Sequence, residues 1–251
     1  MKDYKAKIIK NEKIADGIYQ ITFDLGEKAI IRCGQFGNIL VGGAHLLRRP
    51  IAICKAEGNT VTFCYQVKGE GTKKLTAMKP SEETQVLLPL GNGFYVEDTE
   101  KKVALVGGGV GVFPLISVLL QYQGKKEISA YIGYRNKGAV CGEKEFAKAD
   151  KFIAVTDDGS YGEKMNSVQA FEKDLQSGNI PDVVLACGPT PMLRALKTVC
   201  ERENLNCFVS LEERMGCGFG ACVVCVCNLT NGKRARVCKD GPVFNAKEVV
   251  L

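Results

Sequence analysis

Lys102-Val103-Ala104-Leu105-Val106-Gly107-Gly108-Gly109-Val110-Gly111-Val112-Phe113-Pro114-Leu115 is the stretch that decides the fold. A short apolar run ends in a glycine-rich turn, and a helical pattern follows to about residue 122. Strand, glycine turn and helix form the opening unit of an open α/β sheet. Glycines at such a turn let the backbone approach a pyrophosphate, which the helix N-terminus attracts. The pattern is GGGVG, not G-x-G-x-x-G, so this turn alone reads equally well as a tight βα connection.

Downstream the alternation continues. Strands are expected over 128–133, 152–156, 183–187 and 206–210, with helices over 143–149, 166–176 and 191–201. This order predicts a parallel sheet with right-handed crossovers. Two further loops fall at the carboxyl edge of that sheet: Thr156-Asp157-Asp158-Gly159-Ser160, and Cys187-Gly188-Pro189-Thr190-Pro191-Met192. Together with the first glycine turn they outline a dinucleotide cleft. Arg135 and Lys137 follow the second strand and read as solvated charges or as contacts to a 2′-phosphate, which leaves NADH versus NADPH open.

Upstream the rhythm differs. Residues 5–10, 17–23, 36–41, 60–67 and 83–88 read as short strands separated by turn residues, the signature of a small antiparallel barrel. A short helix is expected over 71–77. Leu46-Leu47-Arg48-Arg49-Pro50-Ile51-Ala52-Ile53 is a strand entered through two arginines, whose guanidinium groups could hold a diphosphate or simply face water. Val67-Lys68-Gly69-Glu70-Gly71-Thr72 opens the helix with glycine amides, a second anion site. His45, the single histidine, is expected at the surface or beside a bound flavin.

The chain therefore divides into residues 1–98, a barrel; 99–208, an α/β domain; and 209–251, a cysteine-dense segment. In the last, Cys217-x4-Cys222-x2-Cys225-x12-Cys238 matches the plant-type ferredoxin spacing of a [2Fe–2S] cluster. Iron takes thiolate ligands, and a tight loop must wrap the cluster with its amides turned towards the sulfurs. Gly216, Gly218 and Gly220 supply the permissive backbone. Structural zinc also uses four cysteines, but its loops show paired C-x2-C knuckles. Cys227 would point away from Cys225 along a strand and is read as a non-ligand.

Totals bound the function. The chain has 251 residues, 45% hydrophobic and 25% charged, with net charge +6 and no dense basic stripe, which argues against nucleic acid. No apolar run approaches the roughly 20 residues of a membrane helix, and the polar start lacks a signal peptide's core. Twelve cysteines in a chain read as cytoplasmic predict thiols and metal ligands in place of disulfides. Cys33, Cys54, Cys64, Cys141, Cys200 and Cys207 are expected to be small buried hydrophobes.

The Arg-Pro-x-x strand, the Gly-x-Gly-Thr helix start, GGGVGVFPL and CGPTPML together resemble the ferredoxin–NADP reductase superfamily. The terminal EERMGCGFGACVVCVC…VCKDGPVF narrows the resemblance to the electron-transfer subunits of type B dihydroorotate dehydrogenases. That resemblance covers nearly the whole chain. It implies FAD along Arg49, Pro50, Ile51 and Ala52, with Gln66, Val67 and Lys68 beside it and Gly71 and Thr72 on its phosphates. It implies NAD at Gly108, Gly109, Val110 and Gly111 and at Cys187, Gly188 and Pro189, and a [2Fe–2S] cluster on Cys217, Cys222, Cys225 and Cys238. The partner implied is an FMN-containing catalytic subunit that oxidises dihydroorotate in pyrimidine biosynthesis, in a heterotetramer of two of each chain. No side-chain nucleophile or general base is expected here. Ala52 departs from the superfamily, which commonly places Ser or Thr there facing flavin N5; this puts the hydride-transfer rate in doubt. The alternatives are a flavin and iron–sulfur NAD(P)H oxidoreductase subunit of an electron-bifurcating or sulfide-type complex, and a non-enzymatic zinc-stapled interaction domain.

Overall fold

The computed structural model describes residues 1–43 and 46–251, so His45 lies outside the described residues. The first segment forms strands β1 (Lys2–Ala15), β2 (Ile18–Asp24), β3 (Phe36–Ile39), β4 (Arg49–Glu57) and β5 (Thr60–Gln66), helix α1 (Glu70–Ala77) and strand β6 (Glu83–Leu90). They close into a barrel in the order β1-β2-β5-β4-β3-β6. Strand β1 buries Tyr4, Ala6 and Ile8 at alternate positions, the period of a strand with one face in the core. It runs well beyond the expected 5–10 because it serves two partners. Its first half pairs with β6 and its second with β2, with register shifts between Ile8 and Lys10 and between Lys13 and Ala15. Such shifts bend a strand, and the bend helps to close the barrel. Asn11 Nδ2 donates to the carbonyls of Leu75 and Met78, both at 2.8 Å, and so satisfies the end of α1.

The second segment forms β7 (Lys102–Gly108), α2 (Val112–Tyr122), β8 (Glu127–Tyr134), α3 (Glu143–Phe146), β9 (Lys151–Thr156), β10 (Glu163–Lys164), α4 (Ser167–Gln176), β11 (Val183–Cys187), α5 (Thr190–Arg202) and β12 (Asn206–Ser210). The tail adds β13 (Val226–Asn228), β14 (Arg234–Arg236) and β15 (Val243–Asn245). The large sheet runs β10-β9-β8-β7-β11-β12-β15. It departs from the expected all-parallel sheet at one edge, where β15 pairs antiparallel with β12. A three-residue strand carries too little periodicity to be read in advance, and this one is pinned from outside. Asn92 of the barrel donates to Val243 O at 2.8 Å and accepts from Val243 N–H at 3.1 Å.

Helix α2 is apolar nearly all round because it is covered on both sides. Val112, Phe113, Leu115, Ile116, Val118 and Leu119 share one core with Cys33, Cys54, Cys64, Phe94 and Val96 of the barrel segment. At the same junction Gly34 N–H donates to Ser117 Oγ at 2.9 Å. The six cysteines outside the motif spacings are all buried free thiols, as expected of small hydrophobes. No helix among the described residues is long and apolar enough to cross a membrane.

A buried polar knot holds the amino end of the sheet. Asp174 in α4 accepts from Tyr131 Oη, Lys151 Nζ and, at 2.7 Å, Asn179 Nδ2. Burial alone would raise this carboxyl, but the hydrogen bonds from Lys151, Tyr131 and Asn179 outweigh it and hold the group below the usual carboxylate range. The sign follows from linkage: the contribution is present at neutral pH and is lost as pH falls through the depressed pKa. Asp174→Ala should lower stability by about 2 kcal/mol at neutral pH, seen as a lower urea midpoint. The deficit against the parent should shrink in acid. An unchanged midpoint at neutral pH would show that the knot stabilises nothing.

Candidate redox-cofactor sites

The cysteine loop lies between β12 and β13. Cys217 Sγ accepts the N–H groups of Ala221 at 3.2 Å, Cys222 at 3.4 Å and Phe219 at 3.5 Å. Cys217 N–H in turn donates to Cys222 Sγ at 3.3 Å, and Cys238 N–H donates to Cys225 Sγ at 3.4 Å. Burial would raise the Cys217 thiol, yet the amides of Cys222, Phe219 and Ala221 bring it down to about 6. Amides turned on the sulfur favour the thiolate, the state a metal ligand needs. Burial, then contact with Cys225, pushes Cys238 up to about 12; a cation between two such thiols inverts that order.

The four thiols therefore stand as two pairs, Cys217 with Cys222 and Cys225 with Cys238. Among the described residues no group of three or more Cys, His, Asp or Glu is placed to hold one metal ion. Two pairs suit a two-iron cluster, with two thiolates on each iron, better than a single tetrahedral zinc. Gly218 and Gly220 adopt φ of +82° and +93°, the left-handed region. Gly216 does not; its place is fixed by proximity, since a Cβ there would lie 3.0 Å from Cys222 Sγ. Val223 is strained at φ +57°. Cys225 and Cys238 are buried, while Cys222 is exposed beside Phe219, Val223 and Val224, which are 45%, 58% and 56% exposed. One end of the site thus opens through an apolar collar. Cys227 sits in β13 opposite Ala235 and packs into the apolar core.

On the barrel, Arg49, Pro50, Ile51 and Ala52 are all half-buried at the start of β4. The two adjacent arginines separate in role. Arg48 makes a two-pronged pair with Asp3, both contacts 2.7 Å, and also reaches Gln85. Arg49 lies across the start of α1, where a Cβ on Gly71 would stand 1.9 Å from its Nε. Thr72 Oγ1 accepts from the N–H groups of Lys68 at 3.0 Å and Gly69 at 3.1 Å, shaping that turn. Guanidinium and helix amides together form an anion cradle fit for the diphosphate of FAD. Lys68 pairs with Glu212 at 3.6 Å and so ties this edge to the tail. Gln66 is exposed and Val67 half-buried beside it.

The glycine turn after β7 and the Cys187–Pro189 turn after β11 come from neighbouring strands. From β7 the sheet grows through β8 on one side and through β11 on the other, so these turns flank the topological switch point, where open α/β sheets bind ligands. They also touch: a Cβ on Gly111 would lie 2.4 Å from Cys187 O, and one on Gly108 would lie 2.7 Å from Met192 Sδ. Such close backbone approach suits a dinucleotide. The loop 156–160 shares the edge but lies two strands away, and Asp158 is engaged locally with Ser160. Burial pushes the Cys187 thiol up to about 12, partly offset by Ser210 on the adjoining strand. Arg135 and Lys137 are exposed.

Asn38 was not anticipated. It is a buried amide on β3 whose Nδ2 donates to Cys217 O at 2.9 Å. A polar residue inside the otherwise apolar Phe36-Gly37-Asn38-Ile39 was the available signal.

Residues 212–250 match the iron–sulfur cluster binding domain of dihydroorotate dehydrogenase B. Over the full length, the chain is 42% identical to the Bacillus pumilus dihydroorotate dehydrogenase B (NAD(+)), electron transfer subunit, covering 100% of this chain and 99% of that one. It is 38% identical to the subunit of the same name from Caldanaerobacter subterraneus, covering 98% of each. Among solved structures it resembles a chain of the electron-bifurcating NADH-dependent reduced ferredoxin-NADP oxidoreductase. There the TM-score is 0.87 at 26% identity, over 98% of this chain and 90% of that one. Phthalate dioxygenase reductase shares the fold, with TM-score 0.67 at 18% identity over 91% and 87% of the two chains.

Proposed function

Since this chain belongs to the family of dihydroorotate dehydrogenase B electron-transfer subunits, we propose that it carries electrons from the FMN of a dihydroorotate-oxidising partner to NAD⁺. The protein is an oxidoreductase subunit and works with a catalytic subunit. When bound, the [2Fe–2S] cluster supplies one-electron transfer and FAD the exchange between one-electron steps and hydride. The chain's own residues bind and orient. Arg49, Gly71 and Thr72 hold the FAD diphosphate, and residues 49–52 with 66–68 border the flavin. Gly108–Gly111 and Cys187–Pro189 receive NAD at the switch point. Cys217, Cys222, Cys225 and Cys238 would hold the cluster.

The observation that carries this reading is the meeting of the flavin and cluster sites: the cysteine loop touches β3, β3 pairs with β4, and Lys68 at the flavin edge pairs with Glu212. The apolar collar of Phe219, Val223 and Val224 is where the catalytic subunit docks, in a tetramer of two of each chain. The buried free thiols suit a cytoplasmic setting. The purified chain should reduce a dye with NADH by itself. With its partner it should also couple dihydroorotate oxidation to NAD⁺ reduction. Co-purification with a much larger flavin and iron–sulfur protein, and no dihydroorotate turnover, would instead assign it to a bifurcating complex.

A further inference from the structure

Strand β3 alternates cleanly. Gly37 and Ile39 face the barrel core, where a Cβ on Gly37 would stand 3.0 Å from the Phe63 ring. Phe36 and Asn38 face outward. Phe36 packs into the core that holds Cys225, Val237 and Cys238. Asn38 is 1% exposed, and its Nδ2 donates to Cys217 O at 2.9 Å. The approach is close enough that a Cβ on Gly218 would stand 2.1 Å from that nitrogen. Its other amide atom, Oδ1, is buried and has no hydrogen-bond partner among the described residues. A buried acceptor without a donor is costly and rarely kept without reason. Across the ladder Asn38 stands opposite Pro50, and Phe36 opposite Ala52, so Asn38 shares the outer barrel face with two residues assigned to the flavin.

We propose that Asn38 is a positioning residue for the cluster loop: its Nδ2, carried on the barrel strand that pairs with β4, clamps the Cys217 carbonyl. One short side chain then fixes the cluster loop against the strand next to the flavin residues. That clamp explains a polar residue in a strand otherwise apolar on both faces. This rests on the assignment of FAD to the barrel face and of the cluster to the four cysteines.

The test uses the holoprotein with Asn38→Leu, which keeps the branched shape but has neither polar atom. In rapid mixing with NADH, flavin reduction should stay within about twofold of the parent. Cluster reduction should slow by roughly tenfold or more, since a displacement near 1 Å suffices for such losses. The cluster's midpoint potential and EPR spectrum should shift, with FAD content and unfolding midpoint close to the parent's. Should the leucine variant not fold, Asn38→Ala is read by the same signals. A variant with parental cluster-reduction rate, potential and EPR spectrum overturns the role of Asn38 and leaves the cofactor assignment standing. A parent protein lacking flavin or cluster would refute that assignment itself.

Discussion

Cys225→Ser should strip or severely distort the visible and EPR spectra of the cluster, while Cys227→Ser, two residues on, should leave them intact. The two thiols share one apolar core and differ in their partners. Cys225 Sγ accepts the Cys238 N–H, and the two side chains are in contact, so Cys225 is half of a thiol pair. Cys227 belongs to β13, opposite Ala235, and packs among apolar side chains. Serine in its place costs only a small buried apolar contact, about 1 kcal/mol. Iron content and spectra after anaerobic reconstitution read both variants. Loss of the cluster in Cys227→Ser with retention in Cys225→Ser would exchange the two roles.

Gly71→Ala should weaken FAD binding by roughly ten- to a hundredfold while the chain folds normally. The added Cβ falls 1.9 Å from Arg49 Nε, so the guanidinium must swing away. For the fold this is cheap, because the tip of a flexible side chain moves and alanine favours the helix by about 0.5–1 kcal/mol. For the cofactor it removes a charge-assisted contact to the diphosphate, of order 1.5–3 kcal/mol, which converts to that fold-change. Titration of the apoprotein with FAD measures it, and cluster absorption serves as the control. Parental affinity would show that the diphosphate does not rest on Arg49.

Legibility followed periodicity. The βα alternation, the barrel strands and both glycine turns could be read because their patterns repeat over several residues. The cysteine spacing was legible because one loop supplies three of its four members. What escaped was short or relational. Strands of three residues, β13 to β15, carry too few positions to alternate. β1 outran its expected bounds because its ends are set by two different partners. Asn38 looked like an isolated polar residue, since the carbonyl it holds lies 179 positions away.

By itself, then, the sequence determined the two-domain plan, the cleft and the four-cysteine tail, because each rests on local spacing or on residue types that neighbours in the chain can display. Only the tertiary structure decided that Arg48 is taken up by Asp3, that the thiols stand as two pairs, and that an amide from the barrel grips the cluster loop. Those depend on distances between segments far apart in the chain, and such distances are set by packing and strand register.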